Sequence, residues 1–257
     1  MGKSAWRLAV AGGAAAVFTA VAAAPAGAAE NGISFSRVTV NKGKAVVVGV
    51  ANEVEVPASF RMTAERYWDS AHVYLYRGST SSSNELWHSL LVSSDCDSGT
   101  RGACDFTETL TIDPAHGDFG NEYAGAWKVA GRAYLAGDAE DTDAQNLTVH
   151  VKRNSHLTVN ASPEPVAKGR TITVTGKITR ANWDTNKYAG YGGRHVNLQF
   201  KPAGATSFTT VKMVYADSAG GLRTTVKADR TGTWRWAYYG NSTTGVSYAP
   251  GDHVVVQ

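Results

Sequence analysis

Thr171-Ile172-Thr173-Val174-Thr175-Gly176 sets a β-branched apolar residue at every second position, with threonines between. A period of two is the period of a strand. Successive side chains point to opposite faces, so Ile172 and Val174 turn to a core while the threonines turn to water. The same grammar recurs in Ala71-His72-Val73-Tyr74-Leu75-Tyr76, in Asn146-Leu147-Thr148-Val149-His150-Val151 and in His195-Val196-Asn197-Leu198-Gln199-Phe200. Turn clusters at 78–84 and 216–221 separate such runs. Beyond the first 29 residues no apolar stripe of 3.6-residue spacing reaches helical length. The pattern predicts an all-β chain, and strands at this spacing predict sandwiches.

Two stretches echo each other in order. Val40-Asn41-Lys42-Gly43-Lys44-Ala45-Val46-Val47-Val48-Gly49 and 166–176 each read as a Lys-Gly-basic turn feeding a β-branched strand that ends at Gly. Gly125-Ala126-Trp127-Lys128-Val129-Ala130 is answered by Gly232-Thr233-Trp234-Arg235-Trp236-Ala237. The two echoes predict a duplicated fold. Val151 ends one strand and His156-Leu157-Thr158-Val159 begins the next, which places the boundary near Lys152–Ser155. The units are then 30–152 and 153–257, each of a size that fits one sandwich. With only Arg153-Asn154-Ser155 between them, they should be held semi-rigidly.

The whole chain of 257 residues is 43% apolar and 18% charged, with a formal net charge of +3. That content excludes wholesale disorder, and the charge is too small to argue for a nucleic-acid partner. The balance is uneven, however. Residues 30–152 carry 10 basic and 17 acidic residues, while 153–257 carry 13 basic and 5 acidic. An acidic domain of −7 thus stands beside a basic domain of +8.

Residues 1–29 read as a secretory signal peptide. Lys3 and Arg7 form the positive start, 8–24 is an uncharged run rich in alanine, and Ala26-Gly27-Ala28-Ala29 supplies small residues for cleavage. The alanine-rich run partitions weakly into lipid, which favours cleavage over a membrane anchor. The mature protein is expected to be secreted. In an oxidising compartment Cys96 and Cys104, with seven residues between them, read as a disulfide across a short loop. A metal pair would need further soft ligands, and the sequence offers no second cysteine pair.

Two sets of candidate site residues stand out. Asp138, Glu140, Asp141 and Asp143 put four carboxylates on six residues between two strands. Hard oxygen ligands on a turn are what Ca²⁺ requires, although the EF-hand spacing fails; the other reading is a solvated acidic turn. In the basic domain Trp183, Tyr188, Tyr191 and Arg194 fall on one Gly-punctuated segment, 180–194. Aromatic faces beside a cation can stack on sugar or hold an anionic polymer; the other reading is that they cap the sandwich core. Trp234, Trp236 and Tyr238 alternate inward, and Arg235 and Tyr239 face the opposite way. No Gly-x-Ser-x-Gly, His-Glu-x-x-His or phosphate-binding loop is present, and the seven histidines are scattered. His72, His150 and His195 take outward strand positions.

Residues 157–183 (Leu157-Thr158-Val159-Asn160-Ala161-Ser162-Pro163-Glu164-Pro165-Val166 and onward to Trp183), with Lys187-Tyr188-Ala189-Gly190-Tyr191 and Thr231-Gly232-Thr233-Trp234, carry a resemblance. They resemble a secreted two-domain immunoglobulin-like family of actinobacteria. Val38-Thr39-Val40-Asn41, the two cysteines and Gly125-Ala126-Trp127 extend it over the first half. The resemblance implies two tandem immunoglobulin-like β-sandwich domains, export, and a calcium-binding label without an assigned ligand set. The expected function is non-enzymatic binding or adhesion at the cell envelope. The expected partner is a cell-wall polymer, a polysaccharide or a protein, with Ca²⁺ as the cofactor to test. The alternatives are a calcium-dependent structural module and a secreted enzyme of unrecognised type.

Overall fold

The structure is a computed structural model that describes residues 32–80, 85–86, 89–115 and 119–257. The leader assigned to 1–29 lies outside them. Two all-β sandwiches follow one another along the chain.

In the first sandwich one sheet has the order β1 (Ile33–Val40), β3 (Val54–Ala64), β7 (Gly102–Ile112) and β6 (Ser89–Ser94). The facing sheet runs β2 (Val46–Val48), β9 (Glu140–Arg153), β8 (Gly125–Tyr134), β4 (Ser70–Tyr76) and β5 (Glu85–Leu86). All neighbours pair antiparallel except β2 and β9, which are parallel. The first two strands thus divide between the sheets, β1 pairing with β3 in one and the short β2 with β9, the domain's last strand, in the other, as in immunoglobulin-like sandwiches. Cys96 and Cys104 form a disulfide with Cα atoms 5.8 Å apart, tying the loop after β6 to β7.

The second sandwich places β11 (Arg170–Asn182) between β10 (Ser155–Ser162) on one side and β15 (Gly221–Ala228) with β12 (Lys187–Gly190) on the other. Its partner sheet runs β14 (Thr209–Tyr215), β13 (His195–Pro202), β16 (Gly232–Tyr238) and β17 (Ser247–Tyr248), with β18 (Asp252–Val254) also on β16. Ile172 and Val174 are fully buried, opposite Val226 and Thr224 on β15. Trp234, Trp236 and Tyr238 point inward together. Gly176 lies under the Trp236 ring, where a Cβ would stand 2.7 Å from the indole, and Trp236 Nε1 donates to the Thr175 carbonyl at 3.0 Å. A side chain at 176 would therefore displace the largest group in this core.

Of the two sequence echoes, one survives in the topology. Trp127 on β8 and Trp234 on β16 each sit on the strand flanked by two others in the five-stranded sheet of its domain, and both are buried. The Lys-Gly turn does not correspond. In the first domain it feeds β2, three residues at a parallel edge; in the second it feeds β11, thirteen residues at the sheet centre. A Gly turn before β-branched residues specifies a turn and a strand, and says nothing of which strand.

The chain passes from one sandwich to the other with a single residue, Asn154, between β9 and β10. That crossing is hydrogen-bonded on both sides. Asn154 N donates to Val48 O at 2.8 Å and Ala181 N donates to Asn154 O at 2.8 Å. Arg153 N donates to Thr243 O at 3.0 Å, and Gly245 N to Arg153 O at 2.9 Å. No helix of the described residues is long and apolar enough to cross a membrane.

Candidate functional site

The acidic segment does not converge on a point. Asp138 occupies the turn with φ of 60°, and β9 begins at Glu140. From there alternation splits the carboxylates between faces. Glu140 reaches Arg132 at 3.4 Å, whereas Asp141 and Asp143 turn inward and are buried. Asp143 Oδ2 accepts the Phe35 backbone N–H at 2.9 Å, joining β9 to β1. Among the described residues the trio of metal-type side chains with ligand atoms within 4.8 Å of one another is Asp95, Cys96 and Cys104, whose two sulfurs are already bonded to each other.

The aromatic segment 180–194 is not a free loop. It is the end of β11, a tight turn and β12, and its tip is pressed against the first domain. Trp183 is 2% exposed and packs within the first domain's core, 4.6 Å from the Phe119 ring. Its Nε1 donates to Gly49 O at 2.7 Å, and its backbone N donates to Asn121 Oδ1 at 3.0 Å. Tyr188 is half-buried against the same core, stacks on His156 at 4.1 Å, and accepts from Asn154 Nδ2 at 3.0 Å. Tyr191 is buried beneath two guanidinium groups, Arg180 at 4.0 Å and Arg194 at 4.9 Å from its ring centre. Three of the four residues expected to meet a ligand are thus committed to the domain joint or the core. Arg194 alone opens onto a cleft.

That cleft leads to a surface built around Arg235. On β16 the outward row is Thr233, Arg235 and Ala237, continued by Tyr239, the reverse of the inward Trp234, Trp236 and Tyr238. Arg235 pairs with Gln199 on β13, and its Nε donates to Gln199 Oε1 at 2.9 Å. Its guanidinium carbon lies 3.8 Å from the Phe208 ring centre and 4.6 Å from that of Tyr248, a cation held between two aromatic faces. Gln199 Nε2 in turn donates to Tyr239 Oη at 3.0 Å. Lys201 adds a second cation 5.2 Å from Phe208.

Around this network the sheet stays open to solvent. Tyr215 is 63% exposed, Met213 and Tyr239 are each 54%, and Tyr248 is 47%. His195 packs edge-on against Tyr215 at 3.9 Å. At the far end Arg194, His195, Asn197, Met213, Tyr239 and Asn241 line the cleft, about 450 Å³ in volume. Strands β13, β14, β16 and β17 contain no acidic residue. The ion pairs among the described residues belong to Arg61 and Arg132, so neither Arg235 nor Arg194 has a carboxylate within 4.0 Å. The arrangement offers oriented guanidinium donors, amides and aromatic faces, all suited to a polar polymer lying across the sheet. Alternation had already turned Arg235 and Tyr239 outward; Phe208, Met213, Tyr215 and Tyr248 join them only through cross-strand register.

No family model and no curated protein matches the chain. Solved structures align with the chain at low identity and low TM-score. The D00–D0 domain of intimin is 14% identical, with 85% of this chain and 99% of that one covered, at a TM-score of 0.30. Three N-terminal domains of the outer capsid protein Hoc of bacteriophage RB49 are 13% identical over 88% of this chain and 70% of that one, at 0.31. The ectodomain of mouse nectin-like molecule 4 is 16% identical over 85% and 63%, at 0.27. Likeness at this level assigns neither family nor ligand.

Proposed function

We infer that the protein is an exported, non-enzymatic binding or adhesion protein of the cell envelope. It holds a wall polymer or other polysaccharide on the outer face of the second domain's five-stranded sheet. The observation that carries this is the Phe208–Arg235–Tyr248 sandwich, with Gln199 fixed on one side and Tyr239 beyond it. A guanidinium clamped in place loses little freedom when a ligand arrives, and rigid tyrosines give contact area at low entropic cost. Four large exposed apolar or aromatic side chains sharing one sheet face mark an interaction surface more than scattered ones would. The disulfide and the leader-like start support an address outside the cell.

Retention on purified cell-wall material tests the reading. The mature protein should be held, and Tyr239→Ala with Tyr248→Ala should release it while leaving the melting temperature within a few degrees. Undiminished retention of that double variant would remove this face from the proposal.

A further inference from the structure

The same face carries charge of one sign, and the way the charges are held narrows what can lie on it. Arg235 uses its Nε on Gln199, and its two terminal nitrogens donate to no protein acceptor among the described residues. Arg194 likewise spends Nε on the Gly192 carbonyl at 3.1 Å. Both guanidinium groups are half-buried and stacked on rings, so neither is a loose surface charge. A guanidinium fixed by one nitrogen and stacked on an aromatic face presents a planar pair of donors, the fork that matches a carboxylate or a phosphate.

The two forks stand at opposite ends of one path. Arg235 lies opposite Gln199. Arg194 stands just before β13, five residues back from Gln199; that odd separation takes it off the outward row, and it meets the face at the cleft it lines with His195, Asn197 and Tyr239. At about 3.3 Å per residue that separation is roughly 16 Å. Between them lie Asn197 and the exposed ring of Tyr239, which are hydrogen-bonding and stacking groups without charge, while Gln199 is buried beneath and held by Arg235 and Tyr239.

We propose that the polymer recognised here is an acidic polysaccharide, with one oxyanion seated on Arg235 and a second in the Arg194 cleft. The stretch of chain between them lies over Tyr239 and the Asn197 amide. This rests on the polysaccharide-binding reading above and adds the class of its ligand. The oxyanion is a carboxylate if the polymer is a polyuronate and a phosphate if it is a sugar-phosphate polymer; both fit the fork.

The test uses the full mature chain and four probes of matched length: a polyuronate, a poly(hexose phosphate), a neutral glucan and single-stranded oligothymidine. Affinity is read at low and at moderate salt. At least one acidic polymer should bind at least tenfold tighter than the neutral glucan, and which one identifies the oxyanion. Arg235→Gln and Arg194→Gln should each weaken that polymer about tenfold, as expected for loss of one charge-assisted pair, and each should flatten the salt dependence. Lys212→Gln, on the edge strand β14, should leave affinity within about twofold. Equal losses for Lys212→Gln and Arg235→Gln would mean diffuse attraction and overturn the two-fork site. A neutral glucan bound as tightly as either acidic polymer, with Tyr248→Ala still harmful, would overturn the acidic class and leave the binding face standing. Failure of all three glycans would overturn the face itself, and oligothymidine bound tighter than any glycan would assign it to single strands.

Discussion

The indole N–H of Trp183, from the second sandwich, donates to the carbonyl of Gly49 in the first at 2.7 Å. Its ring is buried in the other domain's core, with Ala181 beside it. The two sandwiches therefore share core volume, and removing this side chain should act on both. Trp183→Ala should lower stability by about 3–5 kcal/mol, as for other large buried aromatics. Solution scattering should show an increased maximum dimension as the joint loosens. A variant that melts normally with an unchanged scattering profile would mean that the backbone bonds at Arg153–Asn154 hold the joint unaided.

The disulfide closes a loop of eight residues' separation between Cys96 and Cys104. On the chain-entropy model a loop this short stabilises by ~2–3 kcal/mol. Cys96→Ser with Cys104→Ser should lose about that amount in denaturant unfolding, with binding to wall material retained because the second domain is untouched. Unfolded wild-type protein should show no titratable thiol before reduction. Two free thiols there would contradict the bond.

Strand identity was legible wherever alternation was strict. Ile172, Val174, Trp234 and Trp236 face the core because period two leaves no other choice once one face is buried. Topological rank was not legible, as the two Lys-Gly turns show. The ligand segment was misjudged for a related reason. Trp183 and Tyr188 look like part of an exposed aromatic loop when only their own domain is considered, and are covered once the first domain packs on them, while Tyr191 belongs to its own domain's core. Aromatic residues suit both fates, so composition could not decide. The Arg235 face was half visible. Its outward row on β16 followed from alternation, but Phe208 and Tyr248 reach Arg235 through register between strands far apart in sequence.

Calcium should have little hold on the first domain through Asp138–Asp143. Asp143 already accepts the Phe35 N–H, Glu140 lies beside Arg132, and Asp141 points inward. Millimolar Ca²⁺ should leave the melting temperature unchanged, since a ligand stabilises only in proportion to its occupancy of the native state. Asp143→Ala should cost about 1–3 kcal/mol with or without the ion, through the orphaned backbone donor. A Ca²⁺-dependent rise in melting temperature that Asp143→Ala abolishes would restore the metal site.

His72 gives the first domain a defined response to acid. It lies on the outward face of β4, yet is only 6% exposed, between the rings of Tyr74 at 6.1 Å and Tyr134 at 5.5 Å. Thr80 and Glu85 bond to groups on this face: Tyr74 Oη donates to Thr80 O at 3.1 Å, and Arg132 reaches Glu85 at 2.8 Å. Burial, reinforced by the Arg132 charge and opposed by Glu85, pulls the imidazole down to about 4 from its ordinary 6.5. The folded state therefore holds His72 neutral at pH values where the unfolded chain binds a proton. A depressed folded pKa contributes stability that is complete above pH 6.5 and is lost as the pH falls toward 4. The full difference is on the order of 3 kcal/mol. His72→Phe keeps an aromatic ring between the tyrosines and removes the titration. Its unfolding free energy should fall less steeply than the wild type's between pH 6.5 and 4, whatever its value at neutral pH. Parallel slopes for the two proteins would show that His72 takes up its proton in the folded state as readily as in the unfolded one.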